Sequence, residues 1–333
     1  MKKITLLSIL LLLCAATGKL MAQIDPHFSQ YYAYPLWLNP ALTGVTNGGS
    51  RVNANYKDQY ATVGNAYSTT AISGDFKPMD NVGVGLNVLD QAAGSVGYNY
   101  FSAYGTFSYQ ITVSDDGYKR VSFGLNAGII NRSFDPSKLQ LGNQFDPETG
   151  GFNPLISNNE TFLNTNATVF DAGAGIFYFD GDPETNGNFF GGFSVGHISR
   201  PADPFAVQGS NAKVPLRYTV NAGMRFKATS MIDIIPHVIY IRQQAAEEKA
   251  IGGYSEFKLN NGNGFIMGAM YRFQDAAIAN IGYHINSLIM GASYDFNSSS
   301  LNRATNSQGG IELSLSYVFD KHVNQPEPIC PRL

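Results

Sequence analysis

Between residues 50 and 319 the chain alternates apolar with polar side chains at a period of two, in run after run about ten residues long. Leu216, Tyr218, Val220, Ala222, Met224 and Phe226 alternate with Arg217, Thr219, Asn221, Gly223 and Arg225. Ile311, Leu313, Leu315, Tyr317 and Phe319 alternate with Glu312, Ser314, Ser316 and Val318. Val82, Val84, Leu86 and Val88 oppose Gly83, Gly85 and Asn87, and Leu288 to Phe296 repeats the pattern against Gly291, Ser293 and Asp295. A period of two sends alternate side chains to opposite faces of a strand, and glycine every few residues disfavours helix. Runs of about ten residues are long for a soluble sheet and match the span of a tilted strand across a bilayer.

Such runs predict strands at 51–58, 66–76, 81–90, 96–112, 118–131, 167–179, 188–199, 215–228, 231–242, 249–259, 264–273, 276–285, 287–296 and 309–319. About fourteen strands, an even number, close an antiparallel barrel with both ends on one side. The connections sort by length. Those after even-numbered strands are tight, as at Lys77–Asp80, Ser114–Gly117, Thr229–Ser230 and Asn286. Those after odd-numbered strands include 132–166, 200–214 and 297–308. One short side and one long side is the asymmetry of an outer-membrane barrel, with tight periplasmic turns and long outer loops. Lipid offers no partner to a free sheet edge, so a spanning sheet must close.

Composition narrows the choice further. Charged residues are 14% and aromatics 13%, against roughly 25% charged for an average soluble domain. With 22 Lys and Arg against 25 Asp and Glu, no basic stripe announces a nucleic acid. A mean hydropathy of −0.11 is too low for a bundle of apolar spanning helices. The expected fold is all-β, a transmembrane antiparallel barrel, and its polar inward faces imply a lumen that holds water or a filling segment.

The flanks differ from the barrel region. Residues 1–22 read as an export signal, with Lys2 and Lys3, an apolar run from Ile4 to Ala16, and Ala22 before the expected cut. A lipoprotein reading at Cys14 meets Leu13 where a small residue is wanted. Cleavage after Ala22 leaves Cys330 as the one cysteine, so no internal disulfide can form, although it could pair with another chain. Residues 23–49 carry Phe28, Tyr31, Tyr32, Tyr34, Leu36, Trp37 and Leu38, interrupted by Pro26, Pro35 and Pro40. Proline excludes this stretch from a central strand, and so many rings call for burial. It is expected to plug or cap the periplasmic mouth, with inward glycines leaving room. The tail 320–333 holds Pro326, Pro328 and Pro331 and cannot be a strand; an even strand count puts it in the periplasm. The division is thus signal 1–22, plug or cap 23–49, barrel 50–319 and tail 320–333.

Catalytic constellations are not apparent. The five histidines, His27, His197, His237, His284 and His322, lack metal-ligand spacing. His237 and His284 fall on inward faces, where a Ser or Asp would have to meet them across the lumen to make an enzyme. Gly83-Val84-Gly85 lacks the third glycine of a dinucleotide loop, and Asp115-Asp116-Gly117 is turn chemistry. No catalytic residue, metal or cofactor is expected.

Asp25-Pro26-His27-Phe28-Ser29-Gln30-Tyr31-Tyr32, leading into Leu38-Asn39-Pro40-Ala41-Leu42-Thr43-Gly44, resembles the opening of the PorP/SprF proteins of the type IX secretion system. Asn55-Tyr56-Lys57-Asp58-Gln59-Tyr60 is similar to that family's next motif, with Tyr60 where Trp is usual. Cys330-Pro331-Arg332-Leu333 resembles its closing Cys-Pro-Arg-aromatic, with Leu333 departing from the pattern. The resemblance implies a non-enzymatic Bacteroidetes outer-membrane barrel working with the gliding and type IX secretion apparatus. It implies secretion or surface attachment of cargo, adhesins with a dedicated C-terminal domain, and association with periplasmic ring or peptidoglycan-anchoring proteins. On the matching positions, the residues it points to for partner contacts are Asp25, Pro26, Phe28, Ser29, Gln30, Tyr31, Tyr32, Asn39, Pro40, Cys330, Pro331 and Arg332. A diffusion or uptake channel, porin-like, is the alternative function for such a barrel.

Overall fold

The computed structural model describes residues 25–319 apart from 61–66, 95–96, 147–149, 154, 158–163, 204, 206–210, 260–261 and 301. The signal segment 1–22 and the tail 320–333, with Cys330, Pro331 and Arg332, lie outside the described residues. Fourteen strands pair with their sequence neighbours: β1 Ser50–Gln59, β2 Tyr67–Met79, β3 Val82–Ala93, β4 Tyr98–Thr112, β5 Lys119–Ser133, β6 Asn166–Asp180, β7 Gly187–Gly196, β8 Arg217–Lys227, β9 Ile232–Gln243, β10 Ala246–Lys258, β11 Gly264–Arg272, β12 Ala276–Ile285, β13 Leu288–Asn297 and β14 Gln308–Phe319. β14 returns to β1 antiparallel, from Ser50 opposite Phe319 to Gln59 opposite Gly310, so the barrel is closed. No helix among the described residues is long and apolar enough to cross a membrane.

The period of two becomes the two faces of the wall. Tyr218, Val220, Ile311, Leu313, Leu315 and Tyr317 face out and are exposed, while Arg217, Thr219, Asn221 and Glu312 face in and are buried. Outward aromatics gather toward both rims, as the pairs Tyr294–Phe296 near one end and Tyr317–Phe319 near the other illustrate, with rings 4.9 and 4.6 Å apart. Amphipathic rings at two levels around an apolar band suit the two lipid–water interfaces. Pro236 lies in the middle of β9, facing out; the β8–β9 ladder is interrupted there, between Gly223 opposite His237 and Phe226 opposite Ile234, with the register unchanged. A residue without an N–H cannot donate to the ladder, which accounts for the gap.

The loops sort as the sequence predicts, with the long ones, 134–165, 197–216 and 298–307, at one mouth and tight turns at the other. Two expectations change. β7 ends at Gly196 rather than 199, because His197 takes a left-handed φ of 58° and turns its ring inward. The inside is also not uniformly polar. Leu89, Ile130, Phe177, Phe179, Phe190, Ile235, Ile239 and Ile241 face in and are buried, on strands whose outward residues are apolar too.

Placing a charge in the outward band tests this arrangement. Leu313→Arg, at mid-height of β14, is expected to cost about 2–4 kcal/mol of barrel stability in lipid vesicles. Denaturant unfolding of the reconstituted protein measures it, and a loss below about 1 kcal/mol would put Leu313 away from the hydrocarbon.

Candidate functional site

The inward aliphatic and aromatic side chains pack against residues 25–46, which lie inside the barrel. Local chemistry shapes this segment: Pro35 opens a short helix over Pro35–Leu38, and Pro40 opens a 3-10 turn over Pro40–Leu42. The Asn39 side chain caps that turn by accepting from the Ala41 N–H at 2.9 Å. Tyr31, Leu38, Ala41, Leu42 and Val45 join one buried cluster with Phe177, Phe179, Phe190 and Ile239. Phe28 and Tyr34 join another with Leu89, Tyr100, Tyr104 and Ile130.

All fourteen strands touch the segment. Tyr34 donates its hydroxyl to the Val88 carbonyl of β3 at 2.9 Å and the Ile72 carbonyl of β2 at 3.3 Å. Thr43 meets Thr106 of β4, and Asn39 donates to the carbonyls of Ile176 in β6 and Phe193 in β7. The guanidinium of Arg217, at the start of β8, sits 5.0 Å over the Trp37 ring. Tyr31 shares a 2.6 Å hydrogen bond with His237 of β9, His27 lies 3.7 Å from Glu248 of β10, and Tyr32 is paired with Asn280 of β12. In β5, a Cβ on Gly124 would strike the backbone of Pro40 and Ala41, so only glycine fits; Gly175 of β6 stands in the same way against the Asn39 amide.

β1, β11, β13 and β14 supply a buried ionic cluster around Ser29. Glu312 accepts from the Ser29 and Gln30 N–H groups at 2.6 and 2.9 Å. The Ser29 hydroxyl donates to Asp295 at 2.7 Å and accepts from Lys57 at 2.9 Å and Arg272 at 3.3 Å. Arg272 pairs with Asp295 at 2.8 Å, and Lys57 lies 3.6 Å from Asp295 and 3.9 Å from Glu312. Lys57 and Arg272 face the buried carboxylates of Asp295 and Glu312, and Arg272 also pairs with Asp275 at the margin of the set; removing one buried member of such a set leaves an uncompensated charge, at a cost of about 3–5 kcal/mol. Lys57 belongs to the second sequence motif and Ser29 to the first, so the fold joins the two motifs in one contact.

At the long-loop mouth, Asp25 accepts from His197 Nε2 at 2.6 Å, and Asp171 holds His197 Nδ1 at 2.8 Å. Tyr104 and Ser199 donate to Asp171, and Gln243 pairs twice with Asp25. Burial works to raise the Asp25 carboxyl, but the His197 charge and hydrogen bond, with Arg217 and Gln243, outweigh it and hold it at about 2. Burial works to lower His197, and the charge of Asp25 with the hydrogen bonds to both carboxylates carries it up to about 10. Both ring nitrogens are committed to carboxylates, so this His is a structural cation and not a general base. At the opposite mouth, Asp75 accepts from the Gly44 N–H at 2.7 Å and pairs with Arg51 at 3.0 Å.

The segment therefore runs the length of the lumen, from Asp25 beside the long loops to Gly49, whose N–H meets the Phe319 carbonyl at the short-turn end. A plug or cap at the periplasmic mouth is what the aromatic, proline-broken composition predicts; the segment has that contact and also reaches the long-loop end and the wall between. Each of Asp25, Pro26, Phe28, Ser29, Gln30, Tyr31, Tyr32, Asn39 and Pro40 touches this chain's own wall or its own segment: the Pro26 carbonyl, for instance, accepts from Trp37 Nε1 at 2.9 Å, and Phe28 meets Tyr34 edge-on. Sequence reasoning missed Arg272, Asp75 and the inward apolar patch. Consecutive apolar pairs such as Val88-Leu89, Ile129-Ile130, Phe189-Phe190, Ile234-Ile235 and Val238-Ile239 were the available signal, since one residue of each must face the lumen. His284 lies 3.5 Å from Glu256. Among the described residues no group of three His, Cys, Asp or Glu side chains could hold a metal ion.

A family model described as "Type IX secretion system membrane protein PorP/SprF" matches residues 20–317. The chain belongs to the PorP/SprF family. No curated protein matches it. Solved structures with a similar fold include the monoaromatic hydrocarbon channel CymD, at a TM-score of 0.51 and 11% identity over 87% of this chain and 94% of that one. The toluene transporter TbuX of Ralstonia pickettii also has a TM-score of 0.51, at 10% identity over 86% and 94%. At such identities the likeness is one of fold alone, that of an outer-membrane-type barrel. The family is thus one of type IX secretion membrane proteins, and the fold is that of an outer-membrane-type barrel.

The His197 contacts give the segment a pH dependence. The contribution of His197 is complete below its ordinary value of 6.5 and is lost as pH rises through about 10. That of Asp25 is complete above 3.8 and is lost as pH falls through about 2. The contact is thus strongest between 3.8 and 6.5. Trp37, the single tryptophan, reports on it: raising pH from about 6 to about 10.5 is expected to shift its emission to the red, and His197→Gln to abolish most of that shift. An emission maximum constant across this range would remove His197 as the anchor.

Proposed function

We propose that this chain is a non-enzymatic outer-membrane barrel of the type IX secretion system, exported through residues 1–22, in which residues 25–49 plug the lumen. The grip of all fourteen strands on the segment carries this reading. A lumen occupied from end to end by the protein's own chain leaves the two mouths as its working surfaces. In this reading the long loops, 134–165, 197–216 and 298–307, face outward and hold cargo proteins such as adhesins for secretion or surface attachment. The tail 320–333, following β14 at the short-turn end, faces the periplasm and docks ring or peptidoglycan-anchoring components. The family motif residues of the N-terminal segment then act by setting the plug, and any contact with partners is left to the loops and the tail.

Two measurements test this. In planar bilayers the protein is expected to stay silent, while Gly124→Val, which drives a side chain into Pro40 and Ala41, raises conductance at least severalfold; steady large conductance of the unaltered protein would favour the diffusion or uptake channel. Deleting residues 320–333 is expected to reduce co-purification of periplasmic components from native outer membranes while the barrel stays heat-modifiable. An unchanged set of co-purified proteins would sink the docking role of the tail.

A further inference from the structure

A cavity of about 770 Å³ opens at the long-loop mouth above Asp25 and Pro26. That volume is within the usual range for small-molecule sites, roughly 300–1,000 Å³. Its lining is electropositive although the chain as a whole carries a net charge of −3. Four cationic side chains, Arg132, Arg200, Lys213 and Arg242, border it. The two carboxylates on the same lining are already engaged, Asp25 with His197 and Asp203 with Arg132 at 3.2 Å. Arg200 and Lys213 have no ion-pair partner among the described residues, and the loop 197–216 that carries them contains no acid besides Asp203.

A second observation comes from the wall. Tyr98 of β4 holds Arg132 by accepting from Nε at 2.9 Å, which aims the guanidinium. Ile130, Val214 and Leu216 add apolar surface to the lining, and Gln91, Gln243 and Gln244 add polar surface.

We propose that this cavity binds a small ligand that presents an oxyanion, carboxylate or phosphate, to Arg132, Lys213 and Arg200, and lays an apolar or aromatic body against Ile130 and Val214. Arg132 supplies a planar donor fork suited to either anion. The loop cations add attraction that weakens with salt. The floor of the site is formed by Asp25 and Pro26 of the segment, and Arg200 and Lys213 reach it from the long loop 197–216.

Calorimetric titration of the detergent-solubilised full chain with 3-phenylpropionate, phenyl phosphate and neutral 3-phenylpropionamide tests the proposal. Saturable binding of at least one anion is expected, with the amide at least about tenfold weaker. Binding of the carboxylate alone assigns the site to organic acids, and of the phosphate alone to phosphate esters. Arg200→Gln with Lys213→Gln is expected to weaken binding at least about tenfold and to flatten its salt dependence. The two loop residues are exposed, so these variants leave the barrel wall untouched and decide the question. No saturable binding of either anion, equal binding of the amide, or unchanged affinity in the loop variants would overturn the proposal.

Discussion

Closure of the sheet through the β1–β14 seam is the constraint from which the rest follows. Every residue of β1 from Ser50 to Gln59 is opposed on one side by β14 and on the other by β2. An open edge in hydrocarbon would leave unpaired amides and carbonyls, each costing several kcal/mol, so the wall exists only as a complete ring. A ring of fourteen strands encloses more space than wall side chains fill. That space explains why the chain keeps an aromatic, proline-broken segment ahead of its first strand. It also explains the inward glycines: Gly124 and Gly175 are where the backbone or amide of the segment presses on the wall.

The interior uses the two means available to a space shielded from bulk water. Apolar patches from Leu89, Ile130, Phe177 and Ile239 receive the segment's rings and aliphatic side chains. Between them, groups that cannot be buried alone are neutralised in sets, Lys57 and Arg272 with Asp295 and Glu312, and His197 with Asp25 and Asp171. Apolar contact alone would allow the segment to slide, since it has little directional preference. Carboxylates that each hold named backbone amides, as Glu312 holds those of Ser29 and Gln30, set its position. The ionic sets therefore specify position, and the apolar patches supply the larger share of the favourable free energy.

Much of this architecture was legible along the chain. The fourteen strand positions follow from the period of two, and nearly all lie within a few residues of their observed limits, because outward side chains meet lipid or interface wherever a strand spans. The loop asymmetry was legible for the same reason. β7 is shorter than its composition predicts because His197 continues the strand pattern but bends away at a left-handed φ. The clearest alternating runs predict a polar inside, but in β9, where Ile234 and Ile235 are adjacent, both faces are apolar and the period carries no signal.

The sequence by itself determined that the chain is sheet, that the sheet must close, which residues meet lipid, and that an aromatic segment needs shelter. These depend on local alternation and on the solvent outside, both written residue by residue. Only the tertiary structure decided that the segment traverses the whole lumen, that Ser29 meets Lys57 from the second motif, and that His197 grips Asp25. The segment's contacts with the wall join positions up to 284 residues apart in the chain. Which inward residue faces which point of the segment depends on the curvature and stagger of a closed ring, and a one-dimensional period carries no information about either.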